Sequence, residues 1–198
     1  ALQSISLGKD PLLLILASDH LIENNVEFQR VIQSAKIYAN QGSLVTFGIV
    51  PTSAETGYGY IETKEFPTKE NQKIGLEINK FIEKPNKDIA EKLIKDSRYT
   101  WNSGMFLFKA STIISELKKF APEILNYCKI SLEKDIEDLD FLRLETESFK
   151  QCPKISIDVA VMEKTNLGIV LPLNVGWNVL GSWKSLWDIS KKIMMETI

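Results

Sequence analysis

The sequence is short of metal-binding and redox side chains. Among 198 residues there are two cysteines, Cys128 and Cys152, and one histidine, His20. With no CxxC spacing and a single imidazole, a Cys/His zinc site has too few ligands. A disulfide is not expected either, because nothing marks a small secreted domain held by cross-links. Long apolar runs are also missing: none approaches the ~20 residues of a membrane-spanning helix. No sign of charge dominates, since 24 basic residues stand against 26 acidic ones for a net charge of −2, which gives no general pull toward nucleic acid. Any phosphate must therefore be met by a few placed cations. The opening "ALQSISLGKD" has neither a basic n-region nor an initiator Met, so it is no signal peptide. It reads as the last turns of a helix entered midway, and the native chain is expected to extend further at its N-terminus.

What is present suits a globular α/β domain. Hydrophobic residues make up 44% and charged residues 25%, and the length allows a substantial core in one large or two small domains. "PLLLILASDH" (11–20) is an apolar run ended by polar residues, the pattern of a buried parallel strand feeding a loop. In the helical segment 26–42, Phe28, Val31, Ile32, Ala35 and Ala39 share one stripe and Gly42 is placed to end it. A second buried strand at 44–50 completes a βαβ unit with a right-handed crossover. Strands are expected around "TGYGYIETKE" and "IGLEINKFIEKP", joined by a polar segment at 66–73. An Asn-capped helix follows at 86–97, then a strand at 99–110 interrupted by glycine. Helices are expected at 111–129 and 136–147, a short one at 156–165, a strand at 167–173 and a helical tail from Trp183. The chain shows no repeat, low-complexity segment or linker, and one domain with a mixed sheet accommodates all of it.

Several short stretches carry chemistry. Asp19 and His20 stand at the C-terminal end of the first strand, where open α/β sheets bind ligands. A carboxylate there suits a divalent metal, although a loop or capping aspartate has the same position; His20 suits an orienting partner better than a base. In "ETGYGYI" (55–61) two glycines flank Tyr58, either for close approach of a ligand to the backbone or for a turn. "FIEKP" (81–85) sets Glu83 and Lys84 on a strand end before a proline. Glu83 can accept from sugar hydroxyls while Lys84 neutralises a phosphate, or the two form a surface ion pair. In "WNSGMF" (101–106) the amide of Asn102 can donate and accept at once. "GWNVLGSW" (176–183) brings two rings and two glycines together without any charged group.

In this order, "SDH", "FGIVPTSAETGYGYI", "FIEKP", "WNSGMF", "SIDVAVMEKT" and "GWNVLGSW" resemble the mannose-1-phosphate guanylyltransferases, within the sugar nucleotidylyltransferases. The resemblance runs from about residue 11 to about residue 188. It implies a Rossmann-like α/β sandwich around a mixed, mostly parallel sheet, and Mg²⁺-dependent transfer from GTP to mannose 1-phosphate giving GDP-mannose and pyrophosphate. By position, Asp19 matches the metal-binding aspartate and, with Lys84, the catalytic groups. Gly59 matches a backbone contact to the sugar, Glu83 and Lys84 the residues holding sugar hydroxyls and phosphate, and Asn102 a sugar-binding amide. Asp158 lies in a matching motif with a supporting role. The implied partners are GTP and mannose 1-phosphate in the cytoplasm, with a homodimer as the candidate assembly and neither nucleic acid nor membrane.

Two departures from that pattern stand out. A glycine-rich loop resembling GGxGxRLWPLSR, which cradles the nucleotide in the family, has no counterpart here, so a first strand, that loop and a helix are expected to precede Ala1. The chain alone then holds the sugar half of the site and is not expected to turn over. In the family the stretch at 176–183 resembles GWSDVGSW, whose aspartate is a second metal ligand. Aligned without gaps, Gly176, Trp177, Gly181, Ser182 and Trp183 match while Val179 holds the aspartate position. Asn178 is adjacent, but strand alternation points it to the other face. A sister enzyme for another hexose 1-phosphate or nucleotide, and a non-catalytic sugar-phosphate-binding relative, remain alternatives; Val179 favours the latter.

Overall fold

In the computed structural model, residues 1–68, 74–133, 136–138, 141–181 and 187 are described. The elements, in chain order, are α1 (Leu2–Ser6), β1 (Leu12–Ile15), β2 (His20–Ile22), α2 (Asn25–Asn40), β3 (Leu44–Ile49), β4 (Tyr60–Thr63), β5 (Leu76–Ile82), α3 (Lys87–Leu93), β6 (Tyr99–Lys109), α4 (Ala110–Phe120), α5 (Pro122–Glu133), β7 (Ile136–Asp138), β8 (Phe141–Arg143), α6 (Thr146–Gln151), β9 (Gly168–Pro172) and β10 (Trp177–Val179). A single π-helical turn occupies Asp158–Met162.

Alternation along the strands builds a two-sided core. Leu44 of β3 and Phe106 and Phe108 of β6 face one way with Ile113 of α4 and Val161 of the π turn. Val45 and Phe47, with Met105 and Leu107, face the other way beneath Val31, Ala35 and Ala39 of α2. The side-chain period of two thus places a helical layer on each face, which is the α/β sandwich the pattern implied. Phe47 is fully buried; truncating such a ring to alanine costs about 3–5 kcal/mol. Helix α2 begins where the Asn24 side chain accepts from the N–H of Glu27 at 3.0 Å and stops before Gly42, whose φ of +93° is left-handed.

The main sheet runs β1-β6-β3-β9-β5-β4, with a further β6–β4 pairing. β6, eleven residues long, is shared: β4 pairs with its first three residues and β1 with its last four, while β3 lies along its other edge. The sheet is mixed, as expected, and β1, β3, β4 and β9 all run opposite to β5 and β6. Counted by neighbours it is not mostly parallel. Among the described residues only β3–β9 pairs in parallel, because β6 inserts between β1 and β3.

The sequence reading is corrected at three further places. β1, expected as a buried strand inside a parallel sheet, ends the sheet antiparallel to β6, with Leu14, Ile15 and Leu16 38–51% exposed. Its apolar run is suited to two neighbours, and here it has one. The helix expected over 136–147 is instead the β7–β8 hairpin followed by α6. Glu145 accepts from the N–H groups of Glu147 and Ser148, both at 2.8 Å, so the helix can start only after it. The helix expected over 111–129 is broken at Ala121, where Pro122 opens α5. The expected tail from Trp183 lies, apart from Trp187, outside the described residues, as does most of the polar segment 66–73.

Candidate functional site

The register of three strands assembles one end of the site. Tyr60 of β4 pairs with Ile82 of β5 on one side and with Trp101 of β6 on the other. The next residues outward, Gly59, Glu83 and Asn102, are therefore neighbours although they lie far apart in sequence. The N–H of Asn102 donates to the Gly59 carbonyl at 2.7 Å. A Cβ on Gly59 would sit 2.7 Å from Oε2 of Glu83 and 3.2 Å from the Phe81 ring. A side chain at Gly59 would therefore have to displace the Glu83 carboxylate and crowd the Phe81 ring.

Asn102 is held on both ends of its amide. The hydroxyl of Thr46 on β3 donates to its Oδ1 at 2.7 Å, and its Nδ2 donates to Oδ1 of Asp158, at the head of the π turn, at 3.0 Å. Such π turns recur at functional sites. Glu163, at the end of the same turn, accepts from the N–H of Glu83 at 3.3 Å. Among the described residues, three carboxylates thus surround the cradle with one cation, Lys84, whose Nζ lies 3.5 Å from Oε1 of Glu83. Burial pushes the Glu83 carboxyl above the usual range, and the nearby charge of Asp158 adds to this while Lys84 opposes it. Burial likewise raises Asp158. Hydrogen bonds from Ser156 and Asn102 oppose the rise at Asp158.

Lys84 is placed differently from its neighbours. Its side chain is 63% exposed while that of Glu83 is 18% exposed, so the ammonium stands at the rim above a sunken carboxylate. Its φ is +45°, the one left-handed non-glycine among the described residues. Such a conformation costs about 1–3 kcal/mol and survives where surroundings enforce it; Pro85 follows directly, and Asn86 caps α3 by accepting from the N–H of Ile89 at 3.0 Å.

The second end of the site is a two-stranded ribbon in which β2 and β10 pair antiparallel, with Val179 opposite His20. The N–H of Leu180 donates to the Asp19 carbonyl at 2.7 Å, so "SDH" and "GWNVLGSW" meet as the resemblance implied. Nδ1 of His20 accepts from the indole N–H of Trp177 at 3.2 Å, which fixes the neutral ring with its proton on Nε2. That nitrogen lies 4.0 Å from Asp19 Oδ1, too far for a hydrogen bond; burial holds the imidazole pKa down, with Asp19 opposing. Asp19 is 55% exposed, and among the described residues no three His, Cys, Asp or Glu side chains group as a metal site. Val179 shares the His20 face of the ribbon and offers no oxygen. Ser182 and Trp183 lie outside the described residues.

Edge-to-face rings join the two ends. His20 meets Trp177 at 5.2 Å between centroids, Trp177 meets Tyr58 at 5.5 Å, and Tyr58 meets Trp101 at 5.2 Å. Cε1 of His20 also lies 4.0 Å from the Cβ position of Gly104, two residues along β6 from Asn102. Gly59, Glu83, Lys84 and Asn102 are thus brought together at one set of strand ends, and ring contacts link them to the ribbon on which Asp19 and His20 stand. The sequence reading missed Thr46, Glu163 and the connecting role of Tyr58. Glu163 lies within a stretch already singled out, whereas Thr46 in "LVTFGIV" carries no signal beyond being polar in an apolar strand.

The nucleotidyl transferase family model matches residues 2–196 of the chain. Over 187 residues the chain is 50% identical to mannose-1-phosphate guanylyltransferase 2 of Escherichia coli O157:H7, covering 93% of this chain and 39% of that protein. It thus spans about two fifths of the curated relatives it matches. A solved structure described as mannose-6-phosphate isomerase from Helicobacter pylori aligns with a TM-score of 0.78 at 34% identity, covering 89% of this chain and 67% of that one. Another, described as mannose-1-phosphate geranyltransferase from Thermus thermophilus, aligns with a TM-score of 0.77 at 27% identity, covering 95% and 52%. With a mixed α/β sheet, candidate site residues gathered at its strand ends and a family match along nearly its whole length, the chain belongs to the nucleotidyl transferase family.

Proposed function

We propose that the protein carrying this chain transfers a guanylyl group from GTP to mannose 1-phosphate, releasing pyrophosphate. The observation that carries this is the convergence of Gly59, Glu83 and Asn102 on one cradle with the Lys84 ammonium at its rim. Such a cradle offers a carboxylate and an amide to hydroxyls and a cation to a phosphate. In the reaction a phosphate oxygen of the sugar phosphate forms a bond to the α-phosphorus of GTP. The bond from that phosphorus to the α–β bridging oxygen breaks, and its electron pair leaves with pyrophosphate; no proton need move. Catalysis is then positioning plus charge neutralisation. Lys84 holds the attacking phosphate, and Glu83, Asn102 and the Gly59 backbone fix the sugar behind it.

Asp19 is the residue that would hold Mg²⁺. Its half-exposed carboxylate fits an ion carried mainly by the nucleotide phosphates and water, which is how Mg²⁺ is commonly held. When bound, Mg²⁺ supplies charge neutralisation at the phosphates under attack. The enzyme acts in the cytoplasm on these two substrates, with a homodimer as the expected assembly. A second reading, a non-catalytic binder of sugar phosphates, is favoured by Val179. Pyrophosphate release by the full-length protein separates the two. Release with GTP and mannose 1-phosphate, and less with UTP or glucose 1-phosphate, supports the enzyme; binding of mannose 1-phosphate without any release supports the binder.

A further inference from the structure

The amide of Asn102 has two possible orientations, and the residues around it differ in whether they can choose between them. The Thr46 hydroxyl cannot choose alone. It has one proton and two acceptors within reach, Oδ1 of Asn102 at 2.7 Å and the carbonyl of Met105 at 3.0 Å. Were the Asn102 amide turned over, Thr46 could donate to Met105 and accept from Nδ2 instead. Asp158 can choose. An ionised carboxylate only accepts, so the group 3.0 Å from its Oδ1 must be the Asn102 amide nitrogen, and Oδ1 of Asn102 is left to Thr46. The site is buried, with Thr46 at 0% and Asn102 at 8% exposure, so water does not scramble the arrangement, and the Asn102 backbone is fixed by its bond to Gly59.

We infer that Asp158 is a positioning residue that sets the hydrogen-bond polarity of the sugar cradle. With Oδ1 turned to Thr46 and one N–H given to Asp158, Asn102 keeps its second amide proton as the donor it offers a ligand. The neighbouring Glu83 carboxylate presents acceptors. The cradle therefore selects a ligand that places a hydroxyl oxygen toward Asn102 and a hydroxyl proton toward Glu83, and it discriminates against a sugar with either hydroxyl missing or inverted. A buried donor or acceptor left unpaired is the source of such discrimination. This rests on the sugar-phosphate reading of the cleft, but the clamp itself is a property of the ligand-free protein.

The test separates the two. In ¹⁵N-labelled full-length protein, the Asn102 side-chain amide is identified by its loss in Asn102→Asp. It is expected as one pair of exchange-protected signals. Asp158→Asn is nearly isosteric and makes the partner able to donate as well as accept, so the signals should shift and split into two orientations. Thr46→Ser should retain the single pair, whereas Thr46→Val, lacking the hydroxyl, should lose its protection. By calorimetry, Asp158→Asn should weaken mannose 1-phosphate binding about 3- to 10-fold, the worth of one neutral hydrogen bond, and leave GTP affinity unchanged. Asn102 signals identical in wild type and Asp158→Asn would overturn the inference, as would an equal loss of affinity for both ligands. If the signals respond while the wild type binds no mannose 1-phosphate, the clamp stands and the substrate assignment falls.

Discussion

The two ends of the cleft are built to different standards. At the cradle, three strands in fixed register bring together Gly59, Glu83 and Asn102, and a second tier of Thr46, Asp158 and Glu163 holds their polar atoms. At the ribbon, the Asp19 carboxylate stands half in solvent, and the neighbouring His20, which takes the indole N–H of Trp177, lies opposite an apolar Val179. Charge is distributed the same way. Buried carboxylates crowd the cradle around one ammonium, while the ribbon is thinly charged. Under the proposed function, the difference assigns recognition of the sugar phosphate to contacts the chain makes itself, and leaves charge at the nucleotide's phosphates to the nucleotide and its metal. Preorganisation of this kind binds by lowering the ordering cost, not by adding contacts.

The comparison breaks most severely at the one cation of the cradle. Lys84→Ala removes a charge-assisted phosphate contact, typically worth about 1.5–3 kcal/mol, so mannose 1-phosphate affinity should fall roughly 10- to 150-fold in calorimetry, with free mannose bound equally by both proteins. The ribbon can be brought toward the standard of the cradle. Val179→Asp supplies a second carboxylate beside Asp19, and Mn²⁺ binding followed by its paramagnetic resonance should tighten at least about tenfold, with faster pyrophosphate release. Unchanged Mn²⁺ affinity would show that residue 179 does not face the ion.

The smallest effect is a stability shift with a definite sign. Because the Glu83 carboxyl is raised above its unfolded value, the native state binds more protons than the unfolded state between the two values. Stability at this residue is therefore present at acidic pH and declines as pH rises from the ordinary carboxylate range through the raised one. Glu83→Gln abolishes that loss. Its melting temperature should exceed wild type near pH 8, and the gain should vanish near pH 4. A gain that persists unchanged at low pH would point to packing instead of charge.

How much of this was legible in the sequence follows the same division. Candidate residues that stand at strand ends, such as Asp19, Glu83, Lys84 and Asn102, could be placed, because the short motifs around them and the strand pattern both locate them. Those that act through register could not. Nothing in "LVTFGIV" says that Thr46 faces an amide 56 residues away, since that depends on β3 pairing with β6 across a bulge between Thr46 and Gly48. The direction of β6 was likewise invisible: an apolar strand reads the same whether its neighbours are parallel or antiparallel, so the insertion of β6 between β1 and β3 could not be foreseen. The pairing of β7 with β8 is hidden in the sequence, where apolar residues at 136, 139 and 142 imitate a helical stripe, and only the Glu145 cap shows where the helix begins.

The division between a complete cradle and a thin metal end is tested most directly by calorimetry of the full-length protein with mannose 1-phosphate, with and without Mg²⁺. Saturable binding of the same affinity in both, weakened by Lys84→Ala, is the expected result, since protein contacts alone position Glu83 and Asn102 beside Lys84. Binding that appears only when Mg²⁺ is added would contradict it and would move recognition of the phosphate from the cradle to the metal.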